Sequence, residues 1–183
     1  MRVIGGSARG RTIRAPRNSA VRPTSDRVRE AIFDVLTHLE GSDEVVEAAV
    51  VDLFAGSGAL GLEALSRGAA SVTFVEQDRS LTTTIEENLR ATGLAAAGRT
   101  QVVRGEVLAY LASTTRGFDL ALADPPYAFA DWSRLLARLE AALVVLESRH
   151  PVELGERFRL HRVYRYGTTL VTVARRREGL ARS

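Results

Sequence analysis

Residues 50–61 read Val50-Val51-Asp52-Leu53-Phe54-Ala55-Gly56-Ser57-Gly58-Ala59-Leu60-Gly61. A short β-branched apolar run stops at a glycine loop, and Leu60, Leu62 and Leu65 then mark the apolar residues of an amphipathic segment. Strand, tight turn and helix follow one another. The glycines at 56, 58 and 61 permit a sharp turn and let a ligand approach the backbone. This is a loop of the nucleotide-cofactor type. A turn that served packing alone would not need three glycines at this spacing followed by an acid at the next strand end.

The loop by itself fits two cofactors. Gly56-x-Gly58-x-x-Gly61 matches the dinucleotide fingerprint, and Glu76 stands 20 residues after Gly56, where that fingerprint places a ribose-binding acid. Asp52 argues the other way. It sits near the end of the first strand, where a carboxylate repels a pyrophosphate. S-adenosylmethionine has a sulfonium, an ammonium and one carboxylate. Acids around the loop suit its net positive charge, and glycine amides can still take its carboxylate.

Downstream, strands predicted at 50–54, 71–75, 100–104, 118–123 and 143–147 alternate with helices predicted at 58–67, 79–92, 106–114 and 131–141. The pattern predicts an α/β fold, a parallel sheet with helices on both faces. Ligands of such sheets bind beyond the carboxyl ends of the strands. Asp52, Gly56, Glu76, Glu106 and Asp124 all fall there. The last part departs from the alternation. Residues 158–166 and 168–175 alternate apolar and polar around Gly167, which predicts a closing β-hairpin where a dehydrogenase sheet would more often add parallel units. Arg175-Arg176-Arg177 and the residues after them read as a solvated tail.

Upstream, Pro23 stops any preceding helix and Thr24, Ser25 or Asp26 can cap a new one. Val28, Ile32, Val35, Leu36 and Leu39 form its apolar face, and an acidic loop, Gly41 to Glu47, leads to the central strand. In residues 1–16, two extended stretches, Arg2-Val3-Ile4 and Arg11-Thr12-Ile13-Arg14, flank a Gly5–Gly10 turn, which predicts a small β-hairpin with outward arginines. Residues 1–29 hold eight arginines and one acid, a net +7 in a chain of net +3, so the other 154 residues sum to about −4. The asymmetry points to an anionic partner for this arm. Arginine forks match phosphates and stack on bases. The same stretch also reads as a solvated arm that orders only on binding.

At 183 residues the chain is expected to form one domain with a small appendage. It has no cysteine, so disulfides, thiolate metal sites and cysteine nucleophiles are excluded. His38, His150 and His161 lack ligand spacing, and no metal site is expected. No apolar run approaches membrane-spanning length and the N-terminus does not read as a signal peptide, so a cytoplasmic protein is expected. No dimerisation signal is visible, and a monomer is expected.

Asp124-Pro125-Pro126-Tyr127 follows the apolar strand Phe118 to Ala123. Two prolines fix the backbone and lack N–H donors, so nearby carbonyls are expected to point outward unpaired. A carboxylate beside a rigid carbonyl forms an acceptor pair for the two N–H groups of an exocyclic amine, and the tyrosine offers a flat face for the base. A proline-stiffened turn with a capping aspartate is the plainer reading of the tetrapeptide. Its place after strand four of this sheet favours methylation of an amino nitrogen.

The glycine loop with Asp124-Pro125-Pro126-Tyr127 resembles the Rossmann-like, S-adenosylmethionine-dependent amino-methyltransferases. Arg22-Pro-Thr-Ser-Asp-Arg-Val-Arg-Glu-Ala-Ile-Phe-Asp-Val-Leu36 is more specific. With Ala55–Gly68 and the Tyr166-Gly167-Thr168 turn, it resembles the RsmD family of bacterial 16S rRNA guanine-N2 methyltransferases over nearly the whole chain. The resemblance implies a mostly parallel seven-stranded sheet, a closing antiparallel hairpin and a small N-terminal β-hairpin extension. It divides the chain into an RNA-binding arm at 1–21, a methyltransferase domain at 22–177 and a tail at 178–183. It implies that Gly56 and Gly58 cradle the methionine part of S-adenosylmethionine, that Glu76 accepts the ribose hydroxyls, and that Glu106 or its backbone neighbours lie beside the adenine. Asp52, Phe54, Gln77 and Asp124 complete the cofactor-binding set. Asp124, Pro125 and Tyr127 would hold the flipped guanine, with Arg22 and Thr24 lining the site from above. For Glu106, a helix-terminal acid favoured by the dipole is an equal reading. Arg2, Arg9, Arg11, Arg14, Arg17 and Arg22 are the expected contacts to 16S rRNA, within the small subunit or an assembly intermediate. An adenine-N6 DNA methyltransferase or a protein-amide methyltransferase, a non-catalytic RNA-binding assembly factor and a nicotinamide-dependent oxidoreductase are the competing readings. A DNA enzyme would ordinarily need an added recognition domain, Asp124 and Tyr127 oppose the assembly factor, and Asp52 and the final hairpin oppose the oxidoreductase.

Overall fold

The computed structural model describes residues 1–15, 26–39, 41–96 and 98–178. Helix α1 (Asp26–Leu36) precedes five alternating units: β1 (Ala49–Leu53), α2 (Ala59–Ser66), β2 (Ser71–Glu76), α3 (Arg79–Thr92), β3 (Thr100–Arg104), α4 (Val107–Ser113), β4 (Phe118–Ala123), α5 (Trp132–Arg138) and β5 (Ala141–Ser148). A hairpin of β6 (Phe158–Tyr166) and β7 (Thr169–Arg176) closes the chain. The seven strands form one sheet in the order β3-β2-β1-β4-β5-β7-β6. β1 to β5 run parallel and β7 and β6 antiparallel. The order reverses between β1 and β4, which is where a ligand crevice opens in sheets of this kind.

Alternation along the strands builds two cores, one on each face. Val50, Leu120, Leu122 and Val145 join α1, α2 and α3 on one side, while Val51, Leu53, Ala121, Val144 and Leu146 join α4 and α5 on the other. Neighbouring residues of one strand thus serve opposite cores, so a one-residue slip would exchange them.

Two expectations need correction. Helix α2 is not amphipathic: every residue from Ala59 to Ser66 is buried. It lies between the sheet and residues 1–15, whose Val3, Ala8 and Ile13 belong to the same core. These residues pair with each other around an antiparallel bridge, Arg2 to Thr12, where Val3 N donates to Arg11 O and Ile13 N to Met1 O at 3.0 Å and Gly10 N donates to Val3 O at 2.9 Å. The N–H groups of Ile4 and Gly5 donate to the Glu63 carboxylate at 2.8 and 2.7 Å, and those of Ser7 and Ala8 donate to Ser66. Nor are Arg175 and Arg176 a solvated tail. They lie in β7 and pair with Glu44 and Glu140.

Candidate active site

The site is assembled from the loops that follow β1, β2 and β4. Phe54, the first residue past β1, has φ 60°. A bulky side chain in that left-handed region costs about 1–3 kcal/mol and persists only where its surroundings fix it. Its ring meets Phe129 edge-on at 4.9 Å, and Phe129 meets Trp132 at 5.1 Å. This aromatic row joins the glycine loop to the turn after β4.

The three glycines divide by role. A Cβ on Gly61 would meet the Phe74 ring at 2.3 Å, and one on Gly58 would meet Ile85 and Phe74 at 3.2–3.3 Å. Gly61 is glycine because the helix start packs on the Phe74 ring, and Gly58 because it also has φ 80° at the N-cap of α2. Gly56, with φ 57°, has only the Phe54 carbonyl within 4 Å of that position. On the side a Cβ would take, it is the most open of the three.

Glu76 at the end of β2 is buried, and its two carboxylate oxygens accept from Gly56 N at 2.8 Å and Asp78 N at 2.9 Å. Each oxygen keeps further acceptor capacity. Gln77 beside it is exposed. Asp52 is buried behind the loop, where Oδ2 accepts from Gly61 N at 2.8 Å. Burial holds its carboxyl well above the usual carboxylate value; the Gly61 N–H opposes this, and the charges of Asp124 and Glu76 add to it. Three acids therefore share one region, which repels anions and favours a cation. Glu106 stands at the N-terminus of α4, where its oxygens accept from Leu108 N and Ala109 N at 2.9 and 2.8 Å. It caps that helix.

After β4, Asp124 is partly buried and Pro125 fully so, while Tyr127 is 51% exposed. The Pro126 carbonyl accepts from Phe129 N at 2.8 Å, so it does not point outward unpaired as expected from the prolines. The guanidinium of Arg149, just past β5, lies 3.6 Å over the Tyr127 ring. A cavity of about 160 Å³ adjoins them, lined among others by Pro125, Phe129, Trp132 and Ser148.

Of the arginines expected to touch RNA, Arg2, Arg9, Arg11 and Arg14 are all exposed; Arg2 also donates to Gly10 O, Arg11 to Thr92 O and Arg14 to Glu87. Arg17, Arg22 and Thr24 lie outside the described residues. Sequence reasoning missed Glu63, Arg29 and Arg149. Arg29 is fully buried within α1 and donates to Arg2 O at 2.6 Å, with Glu63 at 3.8 Å. Its place in the Arg22–Leu36 stretch was the available signal. Glu63 gave none, because an acid within a helix reads as surface.

A family model described as "Conserved hypothetical protein 95" matches residues 1–175. Ribosomal RNA small subunit methyltransferase D of Escherichia coli is 41% identical over 127 residues, 69% of this chain and 60% of that protein. YlbH of Bacillus subtilis is 35% identical over 97% of this chain and all of its own length. The chain belongs to the RsmD family. The solved structure of yhhF from Escherichia coli, a methyltransferase by title, superposes with TM-score 0.82 at 33% identity, covering 96% of this chain and 97% of that one. The RsmD-family chain thus has the Rossmann-like methyltransferase fold expected of it: mostly parallel, with an antiparallel closing hairpin. The match to the first of these relatives spans about 60% of its length.

Proposed function

We propose that this chain transfers a methyl group from S-adenosylmethionine to the exocyclic N2 amine of a guanine in 16S rRNA, within the small subunit or an assembly intermediate. The observation that carries this reading is the convergence of Gly56, Glu76 and Asp124-Pro125-Pro126-Tyr127 at the carboxyl ends of β1, β2 and β4 respectively, in a chain related to a protein named ribosomal RNA small subunit methyltransferase D.

The residues fit the cofactor. Open space before Gly56 admits a ligand against the backbone, Glu76 is held by two N–H groups with capacity for ribose hydroxyls, and the acids around the loop suit a cationic molecule. When bound, the cofactor supplies an electrophilic methyl group on a cationic sulfur. The Asp124 carboxylate and the Pro125 carbonyl accept the two N–H groups of the guanine amine. That favours a pyramidal nitrogen, whose lone pair leaves conjugation with the ring and can face the methyl group. Methylation would form an N–C bond as the methyl–sulfur bond breaks, leaving neutral S-adenosylhomocysteine, and the nitrogen would give up one proton to Asp124, the carboxylate that accepts its N–H. Tyr127 stacks on the base. Such positioning accounts for up to about 7–11 kcal/mol of barrier, and a proton acceptor for about 10²–10⁴-fold in rate.

The test is transfer of labelled methyl to small subunits lacking base methylation, followed by nucleoside analysis. N2-methylguanosine is expected, and its loss in Asp124→Ala with S-adenosylhomocysteine binding retained assigns the role of Asp124. Label in N6-methyladenosine would overturn the target, and an active Asp124→Ala would overturn the mechanism.

A further inference from the structure

The charge of this chain is distributed in three parts. Residues 30–156 carry nine arginines against twenty acids, whereas residues 157–177 carry seven arginines and no acid. The closing hairpin is therefore as basic as residues 1–29 and is joined to an acidic body.

Within the hairpin the arginines separate by partner. Arg157 and Arg176 pair with Glu140, and Arg175 pairs with Glu44. Arg159, Arg162 and Arg165 are exposed on β6, the outer strand of the sheet, and none makes an ion pair or a side-chain hydrogen bond among the described residues. The Arg162 guanidinium lies 5.5 Å from the centre of the Tyr164 ring. A register shift between Leu160 and Arg162 makes His161 an extra residue. Past it, Arg162 shares a face with Arg159, Tyr164 and Tyr166, while Arg165 lies on the other face with Leu160 and Val163. The cations therefore straddle the free edge of the strand, whose outward N–H groups have no neighbouring strand.

The register fixes where this edge leads. Arg165 pairs with Leu170, and Leu170 pairs with Ser148, the last residue of β5. Arg165 is thus two strand spacings, about 10 Å, from the residue preceding Arg149, whose guanidinium lies on Tyr127. From Arg159 to Arg165 the strand advances about 17 Å toward that end.

We infer that the outer edge of β6, through Arg159, Arg162 and Arg165, binds the phosphate backbone of the substrate RNA and leads it toward Tyr127. This rests on the RNA-methylating function proposed above. The feature that favours RNA is complementarity: an acid-free cationic edge on an otherwise acidic protein, with aromatic rings interleaved. The alternative role of such arginines is to keep edge strands of two copies from pairing.

The experiment uses the full chain with S-adenosylhomocysteine and a 16S rRNA transcript, titrated over a range of KCl concentrations. In the variant Arg159→Gln, Arg162→Gln, Arg165→Gln, the slope of log affinity against log salt should become shallower by about 2, at about 0.7 per lost phosphate contact. The corresponding triple lysine variant should restore the slope. Methyl transfer by the glutamine variant should show a raised KM with kcat retained. S-adenosylhomocysteine binding reports that each variant is folded. An unchanged slope with strong RNA binding would overturn the edge and leave the function standing. A wild-type protein with no salt-dependent RNA affinity would overturn both. An unchanged slope together with dimers in the glutamine variant would assign the arginines to preventing edge pairing.

Discussion

Residues 1–15 and strand β6 are both rich in arginine, yet they direct it differently. At the N-terminus the guanidinium groups of Arg2, Arg11 and Arg14 turn back onto Gly10, Thr92 and Glu87, and the backbone between them is held by Glu63, Ser66 and Asn88. On β6 the three arginines end in solvent. Net charge alone does not distinguish the two regions. What distinguishes them is whether an acceptor lies within reach of each head group. A guanidinium already bonded to a carbonyl or carboxylate is held in one orientation with fewer of its five donors left for a phosphate, while an unpaired one keeps all five.

The strongest way to break this contrast is to remove the anchor of the N-terminal segment. Glu63 receives Ile4 N, Gly5 N and Arg67 Nε, with Arg29 beside it, and both Glu63 and Arg29 are fully buried. Glu63→Ala leaves those donors without their acceptor and should cost about 3–5 kcal/mol in urea unfolding. Little change would mean that residues 1–15 are not part of the folded core. Next in size is Asn88→Ala. Asn88 accepts from Arg14 N and donates to Arg14 O and to Ser57 O in the glycine loop. Its loss should cost about 1–3 kcal/mol and also weaken S-adenosylhomocysteine binding, because it releases the loop. Stability lost with affinity unchanged would separate the segment from the loop.

A third change tests the interior that lies between the two basic ends. The Asp52 carboxyl, raised by burial, stays protonated to higher pH in the folded chain than its ordinary 3.8. Its contribution is therefore fully present below that value and is lost as pH rises through the folded one. In Asp52→Asn this decline should vanish, a difference of at most about 1.4 kcal/mol per pH unit in the rising range. Parallel stability profiles for the two proteins would refute it. The smallest effect belongs to Arg14→Ala. The Arg14–Glu87 pair is 73% and 40% exposed, so its removal should cost under about 1 kcal/mol and should not change the salt dependence of RNA binding. A shallower salt slope would return the N-terminal segment to the RNA interface.

The sheet was legible because its elements obey local rules. Alternating strands and helices from residue 50, and period-two patterning around Gly167, gave the topology to within a residue or two at most strand ends. The acids at the strand ends were also legible, since they follow from where a parallel sheet opens. Features decided by distant partners were not. Glu63 is buried only because residues 4 and 5 return to it from 58 or more positions away. Gly58 and Gly61 look identical to Gly56 in sequence, and only the position of Phe74 separates packing from ligand approach. Arg149 reaches Tyr127 across two strand ends, and no spacing in the chain announces that contact.

The extra residue in β6 has a consequence for how the gene can vary. Leu160 pairs with Ala174 and Arg162 with Val173, so His161 falls outside the ladder. Loss of that one codon would leave each flanking residue on its present face. Loss of the Val163 codon would keep Tyr164 and Tyr166 on the core they pack against only by drawing His161 into the ladder and turning Arg162 to the other face. The extra residue therefore lets this strand lose one position without disturbing the fold behind it, at the cost of the interactions that His161 makes.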